Sequence, residues 1–355
     1  MTKVLSSTFL YLDSEEVNEI LKKINLINKI NYINLINEIL LDYQILKEKD
    51  KYSKISFRKQ HGIYYTNFKI AYQITKEAMN KNNQDITNLK FLEPCVGLGI
   101  FVISYLEYIN DFYSLNKLEL EKILSNIYIS DIDNLALSLA RELISKYVKV
   151  KFDIEYKIND SNVFIGNVIY QDNNIHTVKS LFNKNSKFDV VLTNPPYKNL
   201  KASSKELNEN DYKKYQNYCK FLSKLIKKEL HLQQGTINLY KVFMELIYSR
   251  FTTKEAIIGL IIPSSLLSDY TSSLLRKHII GTSKISNIFL LNESSNEFNS
   301  ITQSMCYFGL KKNSISDNIK LIDIEKKSEF YINLKDIENI DWSGNLNSYS
   351  EIKQF

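Results

Sequence analysis

Phe188-Asp189-Val190-Val191-Leu192-Thr193-Asn194-Pro195-Pro196-Tyr197 is the stretch whose reading decides the fold. Its short apolar run reads as a buried parallel strand that stops at an amide, two prolines and an aromatic ring. Consecutive prolines remove two backbone donors and fix φ, so the chain must leave the sheet in a rigid, extended turn. In an open α/β sheet, the carboxyl end of a strand is where ligands sit. Asn194 offers an amide that grips a hydrogen-bonding edge, and Tyr197 offers a flat ring for stacking. The plain alternative is a proline-terminated strand with an ordinary capping asparagine.

The surrounding composition narrows the class. A chain of 355 residues with 44% apolar content suits one large α/β domain with appendages, or two domains. No run approaches the ~18 uncharged apolar residues of a membrane span. The first residues lack a signal-peptide layout, so a cytoplasmic protein with no membrane partner is expected. The cysteines, Cys95, Cys219 and Cys306, form no CxxC pair, which argues against a disulfide framework or a zinc site. The net charge of +6 is compatible with a polyanionic partner without requiring one.

Outward from the central stretch, strands and helices alternate. Residues 13–50 show apolar residues at helical spacing behind a capping signature at Asp13 and Glu16. One or two packed helices are expected there. A loop over residues 58–67 leads to a helix at Phe68–Met79, with Thr66 or Asn67 as its N-cap. Next comes a strand ending at Glu93-Pro94, a turn with Gly97 and Gly99, and a helix from Phe101. The two glycines allow close backbone approach to a ligand, but the acid at Glu93 would repel phosphate and suits a cationic or amino-bearing one. Ile127–Asp133 reads as a second strand ending in acids, and Tyr156–Ser161 as a third, ending in Asp160. One such acid is easily a helix cap; three at successive strand ends are harder to dismiss. The lysine-rich helix expected over 211–232 is either a solvated face or a contact for backbone phosphate.

In this order the segments resemble the amino-group DNA methyltransferases, of the adenine-N6 kind in which the cofactor motifs precede the catalytic one. Tyr64-Tyr65-Thr66 looks like the family's upstream cofactor motif. The Glu93–Gly99 turn looks like its first motif, Asp131-Ile132-Asp133 its second and Asp160 its third. Asn194-Pro195-Pro196-Tyr197 matches the catalytic motif; Asn238-Leu239-Tyr240 with Phe243, and Ile261-Ile262-Pro263, resemble the elements that follow. The chain departs from the family at Asn67, where proline is common, and at the bulky Val96 and Leu98 of the glycine turn.

The resemblance implies a Rossmann-like S-adenosylmethionine-dependent fold with helices on both faces. It assigns cofactor contacts to Tyr65, Thr66, Glu93, Pro94, Gly97, Gly99, Asp131, Ile132, Asp160 and Asn194. Thr66 and Glu93 would hold the methionine end, Asp131 the ribose and Asp160 the adenine. Asn194, Pro195, Pro196 and Tyr197 would form the catalytic turn, and a target base flipped from double-stranded DNA would stack between Tyr197 and Phe298. An N-terminal helical region is expected over 1–57 and a catalytic domain over 58–312. Residues 313–355 would be a linker or the start of a target-recognition domain, and a specificity subunit in a restriction-modification system is a further expected partner. Other acceptors (cytosine N4, RNA adenine, protein glutamine) and a non-catalytic subunit that keeps the fold remain as alternatives.

Overall fold

The computed structural model describes residues 14–49, 51–52, 55–56, 62, 64–80, 82–291 and 304–334. Its frame is a nine-stranded sheet. In chain order the strands are β1 (Phe91–Glu93), β2 (Ile127–Asp131), β3 (Val163–Ile165), β4 (Phe188–Thr193) and β5 (Thr252–Pro263). They continue as β6 (Ser283–Leu291), β7 (Met305–Lys312), β8 (Asn318–Asp323) and β9 (Ser328–Asn333). Across the sheet the order is β3-β2-β1-β4-β5-β7-β6-β8-β9. The first five run parallel, whereas β7 is antiparallel to both of its neighbours. Strand order reverses between β1 and β4. Right-handed crossovers then place the helices of the two halves on opposite faces, and a crevice opens at the carboxyl ends of the strands that flank the reversal.

The strands are where the apolar runs put them. Every residue of β1 and β2 is buried, as expected for parallel strands covered on both faces. The helices are α1 (Glu15–Leu26), α2 (Tyr32–Lys49), α3 (Phe68–Met79), α4 (Ile100–Phe112), α5 (Lys117–Ser125) and α6 (Asn134–Phe152). They are followed by α7 (Val178–Phe182), α8 (Glu209–Glu229), α9 (Leu239–Leu246) and α10 (Ser273–Thr282). Asn67 caps α3, accepting from the Ile70 amide at 2.9 Å, so of the two cap candidates the structure uses the asparagine. Ser14 caps α1 through a bond from Val17; Asp13 lies outside the described residues. The expected third strand is misplaced. Residues 154–159 form no ladder and bury Ile154 and Ile158, and the strand begins only at Val163.

The two N-terminal helices are built into the domain. The Asn37 side chain accepts from the Phe68 amide at 3.0 Å, and Tyr32 donates to Glu107 of α4 at 2.8 Å. At the other end, β8 pairs in parallel with β6 and β9 closes the edge, so the sheet continues past residue 312. The boundary expected there is not an edge of the sheet.

Helix α3 lies so close across β5 and β7 that two glycines are required beneath it. A Cβ on Gly309 would come within 2.4 Å of the Ala78 Cα and 2.5 Å of its nitrogen, and one on Gly259 within 3.0 Å of Ile74. The contact at Gly309 is with backbone, which cannot turn aside as a side chain can. We expect Gly309→Ala to lower the unfolding free energy by about 2 kcal/mol or more, the upper part of the overpacking range. Urea denaturation of the variant beside wild type measures this.

Candidate active site

The crevice at the strand ends holds three polar side chains on neighbouring strands: Glu93 at the end of β1, Asp131 at the end of β2 and Asn194 just past β4. Glu93 is 1% exposed, and its carboxylate accepts from the Val102 amide at 3.1 Å, in the first turn of α4. Burial pushes its pKa well above the usual carboxylate value. Asp131 accepts from the amides of Gly97 at 2.8 Å and Asp133 at 2.9 Å. Those bonds favour the charged form, but burial and the neighbouring Asp133 charge outweigh them, lifting its pKa from 3.8 to about 6. Among the described residues neither Glu93 nor Asp131 has a cationic side chain within 4.0 Å.

The glycine turn supplies the approach. Gly97 (φ +51°) and Gly99 (φ +84°) both adopt the left-handed region, and Gly99 is the N-cap of α4. The Tyr65 ring lies 3.3 Å from where a Gly97 Cβ would be. Ser130 donates to the Pro94 carbonyl at 2.9 Å, tying the turn to β2, while Ile132 is half-buried between the two aspartates. Burial raises the Cys95 thiol well above its ordinary pKa, which suits a packing residue.

The turn after β4 is laced to the segment before α3. The Asn194 amide nitrogen donates to the Tyr64 carbonyl at 2.9 Å and to the Thr66 hydroxyl at 3.0 Å. The Tyr197 amide donates to the Gly62 carbonyl at 3.0 Å. Because both amide hydrogens of Asn194 are spent on acceptors, its side-chain oxygen is oriented without ambiguity. That oxygen accepts from the Tyr197 hydroxyl, which also lies 3.0 Å from the Ile261 carbonyl of β5. The Tyr197 ring is 8% exposed, stacked on Tyr64 (5.4 Å between centroids, 19°) and edge-on to Tyr240 at the start of α9. In this arrangement one face of the ring is occupied by Tyr64. Phe298 lies outside the described residues.

One expected site residue is not here. Asp160 sits in a short turn before β3, 83% exposed and paired with Arg141 at 2.5 Å. The adjacent Asn162 donates to the carbonyls of Ser125 and Ile127, the latter the first residue of β2, so this turn lies at the amino edge of the sheet. Since Asp131 pairs with Ile165, Asp160 lies at the opposite end of β3 from the crevice. The tyrosine–isoleucine alternation in 156–158 imitated a strand and shifted the reading early. The polar side chain that follows β3 is Asn167, two residues past its end: the Gly166 amide donates to the Asp131 carbonyl at 3.0 Å, and the Asn167 side chain accepts from the Ile169 amide at 2.9 Å. The Gly166-Asn167 pair after a short apolar run was the available signal.

A second group, absent from the sequence reading, braces the crevice from behind. Asp133 is 1% exposed, pairs with the buried Lys47 of α2 at 2.8 Å and accepts from the Tyr43 hydroxyl at 2.8 Å. Its other oxygen caps α6 at Leu135. Tyr43 in turn meets Tyr65 edge to face.

The elevated Asp131 pKa fixes a pH dependence. A carboxyl whose folded pKa (about 6) exceeds its unfolded value (3.8) favours the folded state fully below 3.8 and loses that contribution as pH rises through 6. Asp131→Asn removes this titration and, with it, the charge that helps to raise Glu93 and Cys95. From pH 3.5 to 7, the variant should gain on wild type by up to about 3 kcal/mol. Chemical denaturation across that range measures it, and a difference that does not change with pH would remove burial as the cause.

Residues 125–298, from the start of β2 to beyond β6, match the family model described as Eco57I restriction-modification methylase. The type II methyltransferase M.HincII of Haemophilus influenzae is 31% identical over 163 residues, covering 43% of this chain and 28% of that protein. The match thus spans little more than a quarter of this curated relative. Among solved structures, the DrdV–DNA complex superposes with a TM-score of 0.62 at 14% identity, over 90% of this chain and 34% of that one. A class I S-adenosylmethionine-dependent methyltransferase from Listeria monocytogenes gives 0.53 at 14% identity, over 90% of each chain. At such identities the structures establish the fold, a Rossmann-like methyltransferase sheet. By sequence across residues 125–298 the chain resembles the restriction-modification methylases, as its motifs had implied.

Proposed function

We propose that this chain transfers a methyl group from S-adenosylmethionine to the amino nitrogen of an adenine in double-stranded DNA, within a restriction-modification system. The observation that carries the reading is the pair of buried carboxylates, Glu93 and Asp131, on adjacent strand ends without a cation, beside an oriented Asn194 amide. Carboxylates left in that condition accept from hydroxyl and ammonium donors and repel phosphate. S-adenosylmethionine has those donors, a ribose diol and an amino group, and carries a positive sulfonium, so the residues fit it.

In this reading Asp131 takes the ribose hydroxyls and Glu93 faces the methionine end from behind the first turn of α4. Tyr65 packs against the Gly97 turn beside them, and Asn167, just past β3, replaces Asp160 as the residue nearest the adenine of the cofactor. When bound, S-adenosylmethionine supplies an activated methyl group, so the protein needs to orient the acceptor more than to activate a base. Asn194 is suited to that work. Its side-chain oxygen and the Pro195 carbonyl would each accept a hydrogen bond from the target amino group, localising a lone pair otherwise delocalised into the ring. For this the Tyr197 hydroxyl must release Asn194, and its ring must leave Tyr64 to stack on the flipped base. The DNA-reading surface, and any specificity subunit, would come from elsewhere in the enzyme.

Calorimetric titration of S-adenosylmethionine into the purified chain is the first test. Wild type and Asp160→Ala should bind alike, and Asn167→Ala about tenfold more weakly. Failure of wild type to bind sinks the reading. With labelled cofactor and mixed-sequence duplex DNA, Asn194→Ala should keep binding but lose about 100-fold or more in transfer. Digestion of the product to nucleosides should yield N6-methyl-2′-deoxyadenosine; N4-methyl-2′-deoxycytidine would overturn the acceptor.

A further inference from the structure

The opposite edge of the sheet carries an unassigned cleft. Parallel β1, β4 and β5 start there, and antiparallel β7 ends there, so the topology gathers lysines that are distant in sequence. Lys90 immediately precedes β1, Lys187 immediately precedes β4, Lys254 lies near the start of β5 and Lys312 ends β7. These four, with His278 of α10, line a cleft of about 820 Å³. That volume is within the usual range for small-ligand sites, about 300–1,000 Å³.

The charges in it are not balanced by the protein. Lys312 is half-buried; it donates to the Tyr248 carbonyl at 2.6 Å and the Thr252 hydroxyl at 3.1 Å, and lies 4.5 Å from the centre of the Tyr248 ring. Lys187 donates to the Ser249 carbonyl at 3.1 Å and Lys90 to the Ser186 hydroxyl at 2.5 Å. All of those acceptors are neutral. Among the described residues none of the four lysines has a carboxylate within 4.0 Å. The one acid lining the cleft, Asp189, is engaged by the Lys90 amide and the Thr253 hydroxyl. Burial, and secondarily the charge of Lys187, holds the Lys312 ammonium down to a pKa of about 8. A half-desolvated ammonium beside like charges lacks only its counter-ion.

We propose that this cleft binds a small polyphosphate anion, with Lys90, Lys187, Lys254 and Lys312 as its cationic contacts. Lysine ammoniums act as point-charge partners for phosphate, and several converging cations favour a multiply charged anion over a single carboxylate. A free small anion fits better than a DNA backbone. The cleft lies at the amino ends of the strands, and the six residues of β4 separate it from Asn194 by about 20 Å. A duplex delivering a base to Asn194 approaches the other edge.

The test is calorimetric titration of inorganic tripolyphosphate into the whole chain at low salt, for wild type, the Lys187→Gln, Lys254→Gln double variant and Lys312→Met. The double variant changes exposed residues, and its unliganded thermal midpoint, measured in parallel, should equal that of wild type. Wild type should bind, and the double variant at least about tenfold more weakly. Lys312→Met should lose binding to the same degree or more. No binding by wild type, or equal binding by the double variant, overturns the proposal. So does displacement of tripolyphosphate by a short duplex at equal phosphate concentration, which would make the cleft a nucleic-acid contact instead. S-adenosylmethionine binding is expected to be unchanged in every variant, since the two sites lie at opposite sheet edges.

Discussion

A buried carboxamide does not choose its own orientation; its neighbours choose it. Asn194 has both amide hydrogens bound, to a carbonyl and a hydroxyl from the segment that leads into α3. That one interaction holds residues 64–66 along the turn after β4, sets where α3 begins and leaves the side-chain oxygen to the Tyr197 hydroxyl. Leaving either donor unmatched in this partly buried place costs about 1–3 kcal/mol, so the segment and the turn are ordered together.

From there the constraint spreads through the domain. Helix α3 starts at Asn67 and must cross β5 and β7 closely, which only Gly259 and Gly309 permit. On its other side, the same segment puts Tyr65 over the glycine turn and against Tyr43, so α2 is drawn in behind Asp133. The buried Lys47–Asp133 pair is weak evidence of net stability, because desolvating two charges offsets much of their attraction. It is better evidence of register. Asp133 caps α6 with one oxygen and receives α2 with the other, so the N-terminal helices have one place in which to dock.

The same fold explains two opposite electrostatic surroundings. At the carboxyl ends of the parallel strands, Glu93 and Asp131 are buried with no cation within 4.0 Å among the described residues; at their amino ends, four lysines gather around one acid, Asp189. Each edge is poor in the charge its ligand would bring. The Tyr64–Tyr197 stack lies against the acidic edge, and the Tyr197 hydroxyl holds the Asn194 side-chain oxygen.

Much of this was legible in the residues themselves. Continuous apolar runs marked β1, β2 and β4, glycines marked a turn of left-handed backbone, and two prolines marked the exit from β4, because each of these effects acts within a few residues. The order of those local signals was enough to identify the fold. Pairing was not legible. Which acid stands at a strand end depends on ladder register, so the alternation at 156–158 misplaced Asp160, and Asn167 emerged only once Ile165 was seen opposite Asp131. The extension of the sheet through β8 and β9, the role of α2 behind the crevice and the convergence of four lysines on one edge all join residues far apart in the chain. Such contacts leave no periodic trace in a sequence, since only the folded sheet brings the partners within reach.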